Sequence, residues 1–144
     1  MGRCSPAFRS TFGTNTGIGS QAIVLDGTAE QKARYLPRLA TGELIGSFAL
    51  SEPDAGSDAG SLRTTAELKG NEWVLNGTKQ FITNIGLDNA SIVLVAAMVG
   101  GPDQKEIISM FIVPKDAPGL HFKLISEKLG SIQRGTFIYY KNIH

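Results

Sequence analysis

The stretch FALSEPDAGSD, residues 48–58, divides the chain into two parts of different character. Before it, residues 18–41 carry apolar side chains at helical spacing, with a Thr28-x-x-Gln31 pair that is typical of a helix start. After it, short apolar runs alternate with turn residues at intervals of about ten, as in antiparallel sheets. The sequence therefore predicts a mainly β fold, an antiparallel barrel or sandwich, with a short helical segment on its N-terminal side.

The predicted elements have the following limits. One helix covers residues 18–25, and a second runs from Thr28 to Thr41, where Pro37 is expected to kink or shorten it. Residues 69–72 and Asn76-Gly77 predict two turns. The runs that predict strands are residues 44–50, 62–68, 73–75, 79–83, 91–99, 107–113, 120–125 and 136–140.

Composition argues against several classes of protein. The 144 residues are 42% hydrophobic, enough to bury a core, and 14 Lys+Arg against 13 Asp+Glu lack the basic excess of a nucleic-acid-binding protein. The single cysteine, Cys4, excludes a disulfide framework, and the scattered His121 and His144 do not suggest a metal site. The longest apolar run, residues 92–99, is too short to span a bilayer, and residues 1–8 lack the apolar region of a signal peptide. We expect a protein of the cytoplasm that binds neither nucleic acid nor a membrane.

Two further patterns are weak signals. GIGSQA, residues 17–22, matches a dinucleotide-binding fingerprint, but no strand precedes it, so a glycine-rich helix start is the better interpretation. The acidic residues Glu52, Asp54 and Asp58 could bind a cation, although such side chains more often bond their own backbone in turns.

Two segments of the chain resemble the acyl-CoA dehydrogenase family. FALSEPDAGSD is similar to the family segment F-A-L-S/T-E-P-x-A-G-S-D, and LNGTKQFITN, residues 75–84, is similar to L-N-G-x-K-x-W/F-I-T-N. The likeness extends from residue 17 to residue 130 and includes a segment similar to E-Q-K-x-x-Y-L-P at residues 30–37. Residues 131–144 depart from the family pattern, because they lack its S-D pair.

The resemblance implies a division into domains. Residues 1–43 would be the end of the N-terminal helical domain, and residues 44–144 the middle β-domain that binds flavin and acyl-CoA. Family members continue into a C-terminal helical bundle, which usually carries the carboxylate base that removes the α-proton. We therefore expect a fragment that is inactive alone, and we assign no catalytic residue and no metal ligand.

The resemblance also implies an FAD site. The residues that would contact the flavin are Phe48, Ala49, Leu50, Ser51, Phe81, Ile82 and Thr83. Backbone amides near Leu50 and the Ser51 hydroxyl would donate to the pyrimidine edge of the ring, Phe81 would cover the ring, and Thr83 would bond near N5. Ser57 would contact the acyl-CoA substrate. Taken singly, Phe48, Leu50 and Ile82 are better interpreted as core residues of a β-domain, and the hydroxyls could be strand-end or turn groups; their joint order within the family pattern favours the flavin role.

The implied activity is α,β-dehydrogenation of acyl-CoA thioesters, in which a hydride passes from the β-carbon to flavin N5. The implied partners are acyl-CoA, an electron-transfer flavoprotein and further copies of the chain in a homo-oligomer. The implied location is the cytoplasm, or the mitochondrial matrix in a eukaryote. Acyl-CoA oxidases and flavin monooxygenases share this scaffold and stay open as alternatives, as does a non-catalytic β-module.

Overall fold

A computed structural model describes residues 5–100, 107–125 and 135–143, the last range by its backbone alone. Three helices come first: α1 (Pro6–Thr16), α2 (Ile18–Asp26) and α3 (Ala29–Thr41). The strands that follow in the described ranges are β1 (Ile45–Ala49), β2 (Thr65–Lys69), β3 (Glu72–Lys79), β4 (Ala90–Val99), β5 (Ile107–Pro114), β6 (Leu120–Ile125) and β7 (Gly135–Ile143). The predicted order, a short helical segment and then a strand-rich region, is confirmed.

Helix α3 begins with the predicted capping box. The Thr28 hydroxyl accepts from the Gln31 N–H at 3.2 Å, and the Gln31 side chain accepts from the Thr28 N–H at 2.9 Å. The predicted end at Thr41 is confirmed; the helix continues through Pro37, which does not shorten it, and a kink at Pro37 stays a prediction. It ends at Gly42, whose φ of 77° glycine adopts without steric cost. None of the helices in the described ranges has the length and apolar character that a membrane crossing requires.

The helices pack onto β1 through two glycines. A Cβ atom on Gly46 of β1 would lie 2.6 Å from the carbonyl oxygen of Gly19 in α2, closer than real Cβ atoms approach. Asn15, in helix α1, accepts from the Gly46 N–H at 2.7 Å and donates to the Leu39 carbonyl at 3.0 Å. The glycine pattern of residues 17–22 therefore serves close packing of helix on strand.

Strand β4 is the centre of a mixed sheet. It pairs antiparallel with β5 along one edge, and on the other edge it pairs parallel with β1 and then with β2. The sheet continues from β2 through antiparallel partners in the order β3, β7, β6. The described pairings do not close into a barrel, and two of them are parallel, so the antiparallel barrel or sandwich is wrong in these respects. The long segment between β1 and β2 lets both strands run in the direction of β4, which the alternation of apolar residues does not encode.

Both faces of β4 are buried, which explains its nearly continuous apolar sequence. Alternate residues face opposite sides. On one side lies the main core, formed by Ala49, Ala66, Leu75, Ile82, Ile85, Val93, Val95, Ala97, Val113 and Leu120. On the other side lies the helix-side core, formed by Ile23, Leu39, Leu44, Ile92 and Leu94.

Two local predictions around β3 are wrong. Asn76-Gly77 is not a turn but lies inside β3, where the pairing with β7 shifts register between Leu75 and Gly77. Residues 79–83 do not form a strand, because β3 ends at Lys79. The predicted hairpin at residues 69–72 is confirmed by the antiparallel pairing of β2 with β3.

Candidate functional site

A buried ion pair ties the segment after β1 to the end of β3. Lys79 Nζ lies 2.7 Å from Glu52 Oε1, and the exposed fractions of the two side chains are 0% and 5%. The same ammonium group donates to the carbonyl oxygen of Leu50 at 3.0 Å. An uncompensated buried charge is strongly destabilising, so neither member of this pair is readily lost alone.

The Glu52 carboxylate has further donors in the segment before β2. It accepts from the backbone N–H groups of Arg63 at 2.6 Å and Thr64 at 3.0 Å, and from the Thr64 hydroxyl. Burial alone would raise the pKa of Glu52, but the hydrogen bonds, that from Lys79 first, outweigh it, and the pKa lies below its ordinary value. Burial lowers the pKa of Lys79, and the contact with Glu52 opposes that shift. The carboxylate therefore closes residues 52–64 into a fixed loop.

Gly77 makes room for this arrangement. A Cβ atom at Gly77 would lie 2.7 Å from the Cβ atom of Thr64, so Thr64 packs against bare backbone of β3. The N-G-x-K spacing thus places a glycine against Thr64 and, two residues later, the lysine that pairs with Glu52. Sequence reasoning found both segments but missed that Glu52 and Lys79 join them. Their joint presence in the two family-like segments was the available signal.

A second set of hydrogen bonds holds the same two segments together. The Gln80 N–H donates to the Ser51 carbonyl at 2.9 Å, and the Gln80 side chain donates to the Glu52 carbonyl at 2.9 Å. The C-terminal end of the segment 48–51 therefore lies next to the N-terminal end of the segment 81–83.

Asn84 fixes the far end of that second segment. Its buried side-chain amide donates to the carbonyl oxygens of Gly46 at 3.1 Å and Thr11 at 3.2 Å. Residues 81–83 are therefore held from both sides, by Gln80 and by Asn84, against β1 and α1.

Several of the predicted flavin contacts have side chains in the core. Ala49 and Ile82 are 0% and 1% exposed and belong to the main core, and the half-buried Phe48 packs against the helix-side core. The half-buried Leu50 packs against a small third cluster. These four side chains therefore pack in or against the core clusters, and these residues would contribute to a ligand site mainly through their backbone groups.

The remaining predicted contacts lie at the surface. Ser51 and Thr83 are half-buried, Ser57 is exposed, and Phe81 is 59% exposed. Phe81 has a φ of 60°, a left-handed conformation that non-glycine residues adopt at a cost. We call Ser51, Phe81 and Thr83 the ring surface. The Gln80 bonds bring their two segments together, so an exposed aromatic side chain, two hydroxyls and the Leu50–Ser51 peptide lie on adjoining stretches of chain, and these group types can contact a flat ring with a polar edge.

The acidic residues of the loop 52–58 do not form a common cation site. Glu52 turns inward to Lys79, whereas Asp54 pairs with Arg63 at 3.1 Å on the exposed side of the loop. Among the residues that the structure describes, no three His, Cys, Asp or Glu side chains are grouped so that they could hold a metal ion.

A cavity of about 690 Å³ lies elsewhere, between α3 and strands β3 and β5. Its described lining includes Tyr35, Trp73 and Phe111 and contains none of the residues predicted to contact flavin. We therefore take the ring surface, and not this cavity, as the candidate site, because the hydrogen bonds of Gln80 to Ser51 and Glu52 bring its two segments together.

Comparison with known proteins gives consistent matches along the chain. Residues 47–140 match the model of the acyl-CoA dehydrogenase middle domain, and residues 1–43 match that of the N-terminal domain. The chain is 44% identical over 131 residues to an acyl-CoA dehydrogenase of Bacillus subtilis (strain 168), covering 90% of this chain and 34% of that protein. It is 45% identical over 115 residues to acryloyl-CoA reductase (NADH) of Anaerotignum propionicum, covering 78% and 29%.

A solved structure shares the fold. The acyl-CoA dehydrogenase complexed with FAD from Bacillus anthracis matches with a TM-score of 0.86 and 41% identity, covering 95% of this chain and 23% of that chain. This chain thus spans about a third or less of the length of these relatives.

Proposed function

Because this chain belongs to the acyl-CoA dehydrogenase family, we propose that it forms the flavin-binding part of an enzyme that oxidises acyl-CoA thioesters between their α and β carbons. In this proposal residues 1–43 are the end of the helical N-terminal domain, and residues 44–144 are the middle β-domain. One observation carries the proposal: the hydrogen bonds from Lys79 to Leu50 and from Gln80 to Ser51 hold residues 48–51 next to the start of residues 81–83, the two segments that the family pattern assigns to flavin.

The ring surface supplies the contacts. The Ser51 hydroxyl and the N–H of the Leu50–Ser51 peptide donate to the pyrimidine edge, Phe81 covers one face of the ring, and Thr83 donates near N5. When bound, FAD supplies the redox chemistry by accepting a hydride from the β-carbon of the substrate. Donors at the pyrimidine edge favour reduction, because they stabilise the negative charge that develops there.

The substrate would approach across the loop that Glu52 closes. Ser57 is exposed on this loop and would contact the acyl-CoA near the flavin. We place the base that removes the α-proton in the C-terminal helical bundle of the family, as the resemblance implies; the buried carboxylate of Glu52 is paired with Lys79. An electron-transfer flavoprotein would reoxidise the flavin, and the whole enzyme would be a homo-oligomer.

A second candidate is the reverse reaction, the reduction of an enoyl-CoA. The 45% identity to acryloyl-CoA reductase favours it. Both directions use the same ring surface, so they differ in the electron partner. In a full-length enzyme that carries this chain, acryloyl-CoA-dependent oxidation of NADH would indicate the reductase, and reduction of an electron-transfer flavoprotein by acyl-CoA would indicate the dehydrogenase. Consumption of oxygen would indicate an acyl-CoA oxidase.

The cofactor claim is tested by titrating the purified chain with FAD while flavin absorbance and fluorescence are recorded. We expect saturable binding, weakened roughly three- to tenfold by Phe81→Ala, the loss of one aromatic contact. Phe8→Ala is the matched control, because Phe8 is 57% exposed but lies on α1. Absence of binding at high micromolar FAD would overturn the claim that this chain binds the cofactor on its own, and would leave the family assignment standing. If both variants weakened FAD binding equally, Phe81 would not be a flavin contact.

A further inference from the structure

The Lys79 ammonium group makes one contact that charge balance does not require. Its hydrogen bond to Glu52 at 2.7 Å already pairs the two buried charges. The additional bond, 3.0 Å to the carbonyl oxygen of Leu50, reaches the peptide group whose other end is the N–H of Ser51. Lys79 thus touches, from the buried side, the peptide that the proposed function places at the flavin.

A charged donor at a carbonyl polarises the whole peptide unit. Charge-assisted hydrogen bonds are about twice as strong as neutral ones, and the effect is passed to the N–H of the same peptide. Because Lys79 is 0% exposed, water does not screen the interaction. We propose that Lys79 is a positioning residue for flavin: it fixes the Leu50–Ser51 peptide and strengthens the Ser51 N–H as a donor to the pyrimidine edge. This inference rests on the proposed function.

If Lys79 only balances the charge of Glu52, removing both charges together should restore flavin binding. Two variants distinguish this purely structural role from the positioning role. Lys79→Met leaves the Glu52 carboxylate buried without its cation, so it removes both charge balance and the bond to Leu50. The double variant Glu52→Gln/Lys79→Met removes both charges, which often restores the stability of a buried pair. It does not restore a donor to the Leu50 carbonyl.

The experiment compares the wild-type chain, both variants and the control Arg38→Met, which breaks the exposed Arg38–Glu43 pair of α3. Four quantities are measured: urea stability, the Kd for FAD, the midpoint potential of bound flavin, and the amide chemical shift of Ser51 without flavin. We expect the double variant to regain stability relative to Lys79→Met. In both variants FAD should bind about tenfold more weakly, because a Leu50–Ser51 peptide that Lys79 no longer fixes would give up its hydrogen bond to flavin. The potential should become more negative, and the Ser51 amide proton should move upfield. Arg38→Met should change none of the four.

Recovery of FAD affinity and potential together with stability in the double variant would overturn the inference, because Lys79 would then act only by balancing charge. An unchanged Ser51 amide shift in the variants would overturn it as well. If the wild-type chain binds no FAD, the claim that this chain binds the cofactor on its own fails instead, and the Ser51 shift still decides whether Lys79 polarises the peptide. If Lys79→Met does not fold, the double variant against wild type carries the same comparison.

Discussion

Replacing Gly77 by alanine tests whether this position requires glycine, both for its close packing and for its φ of 159°, which L side chains rarely adopt. The new Cβ atom would lie 2.7 Å from Thr64 Cβ and 2.8 Å from Thr64 Cα, whereas ordinary contacts begin at 3.4 Å. The Thr64 hydroxyl oxygen would lie closer still, so Thr64 must move by at least about 0.7 Å, the difference between 3.4 and 2.7 Å, or β3 must distort. Overpacking of this kind costs about 1–3 kcal/mol. Thr64 also donates twice to Glu52, and weakening those bonds adds about 1 kcal/mol, for a total of about 2–4 kcal/mol.

The assay is urea unfolding of the variant followed by circular dichroism. Gly13→Ala is the matched control, because Gly13 lies in α1 with open space around its would-be Cβ atom. This control should stabilise the chain by about 0.5–1 kcal/mol, since alanine is the better helix former. A free energy of unfolding for Gly77→Ala within about 0.5 kcal/mol of wild type, a change typical of surface substitutions, would refute the close-packing argument.

Three other predictions follow from the contacts above. Gly46→Ala should cost about 1–3 kcal/mol in thermal unfolding, because its Cβ atom would lie 2.6 Å from the Gly19 carbonyl; a neutral result would contradict the packing of α2 on β1. Thr28→Ala should cost about 1 kcal/mol, and restoring the cap with serine should recover most of it; no change would mean that the bond to Gln31 contributes nothing. Because the pKa of Glu52 is lowered in the folded chain, its stabilising contribution is full above the ordinary value of 4.5 and is lost as pH falls through the lowered value. Urea midpoints between pH 3 and 7 should therefore fall on acidification in wild type and less so in Glu52→Gln; parallel profiles would contradict the pairing.

Local signals in the sequence predicted the elements that depend on local interactions. The capping box at Thr28 and the hairpin at residues 69–72 are both set by residues close in sequence. The Asn76-Gly77 prediction was wrong because that dipeptide is typical of turns that require a positive φ. Here the glycine lies inside a strand with a φ of 159° and packs against Thr64, thirteen positions earlier, a contact that no local pattern reports.

At the candidate site, too, contacts between residues that are far apart in the sequence were not predicted. The two family-like segments contain the residues of the ring surface, so the sequence identified them, and the structure brings the two segments together. Glu52 looked like a member of an acidic loop because its partner, Lys79, lies 27 residues further along the chain. The parallel pairing of β1 and β2 with β4 was likewise missed, since alternation of apolar residues specifies faces and not strand directions.

The central claim is that residues 48–51 and 81–83 form a flavin-binding surface, and amide spectra of the ¹⁵N-labelled chain with and without FAD test it most directly. We predict that the largest shifts occur at Ser51, Phe81 and Thr83. Shifts confined to Tyr35 and Trp73, which line the 690 Å³ cavity, would place the ligand there and contradict the account.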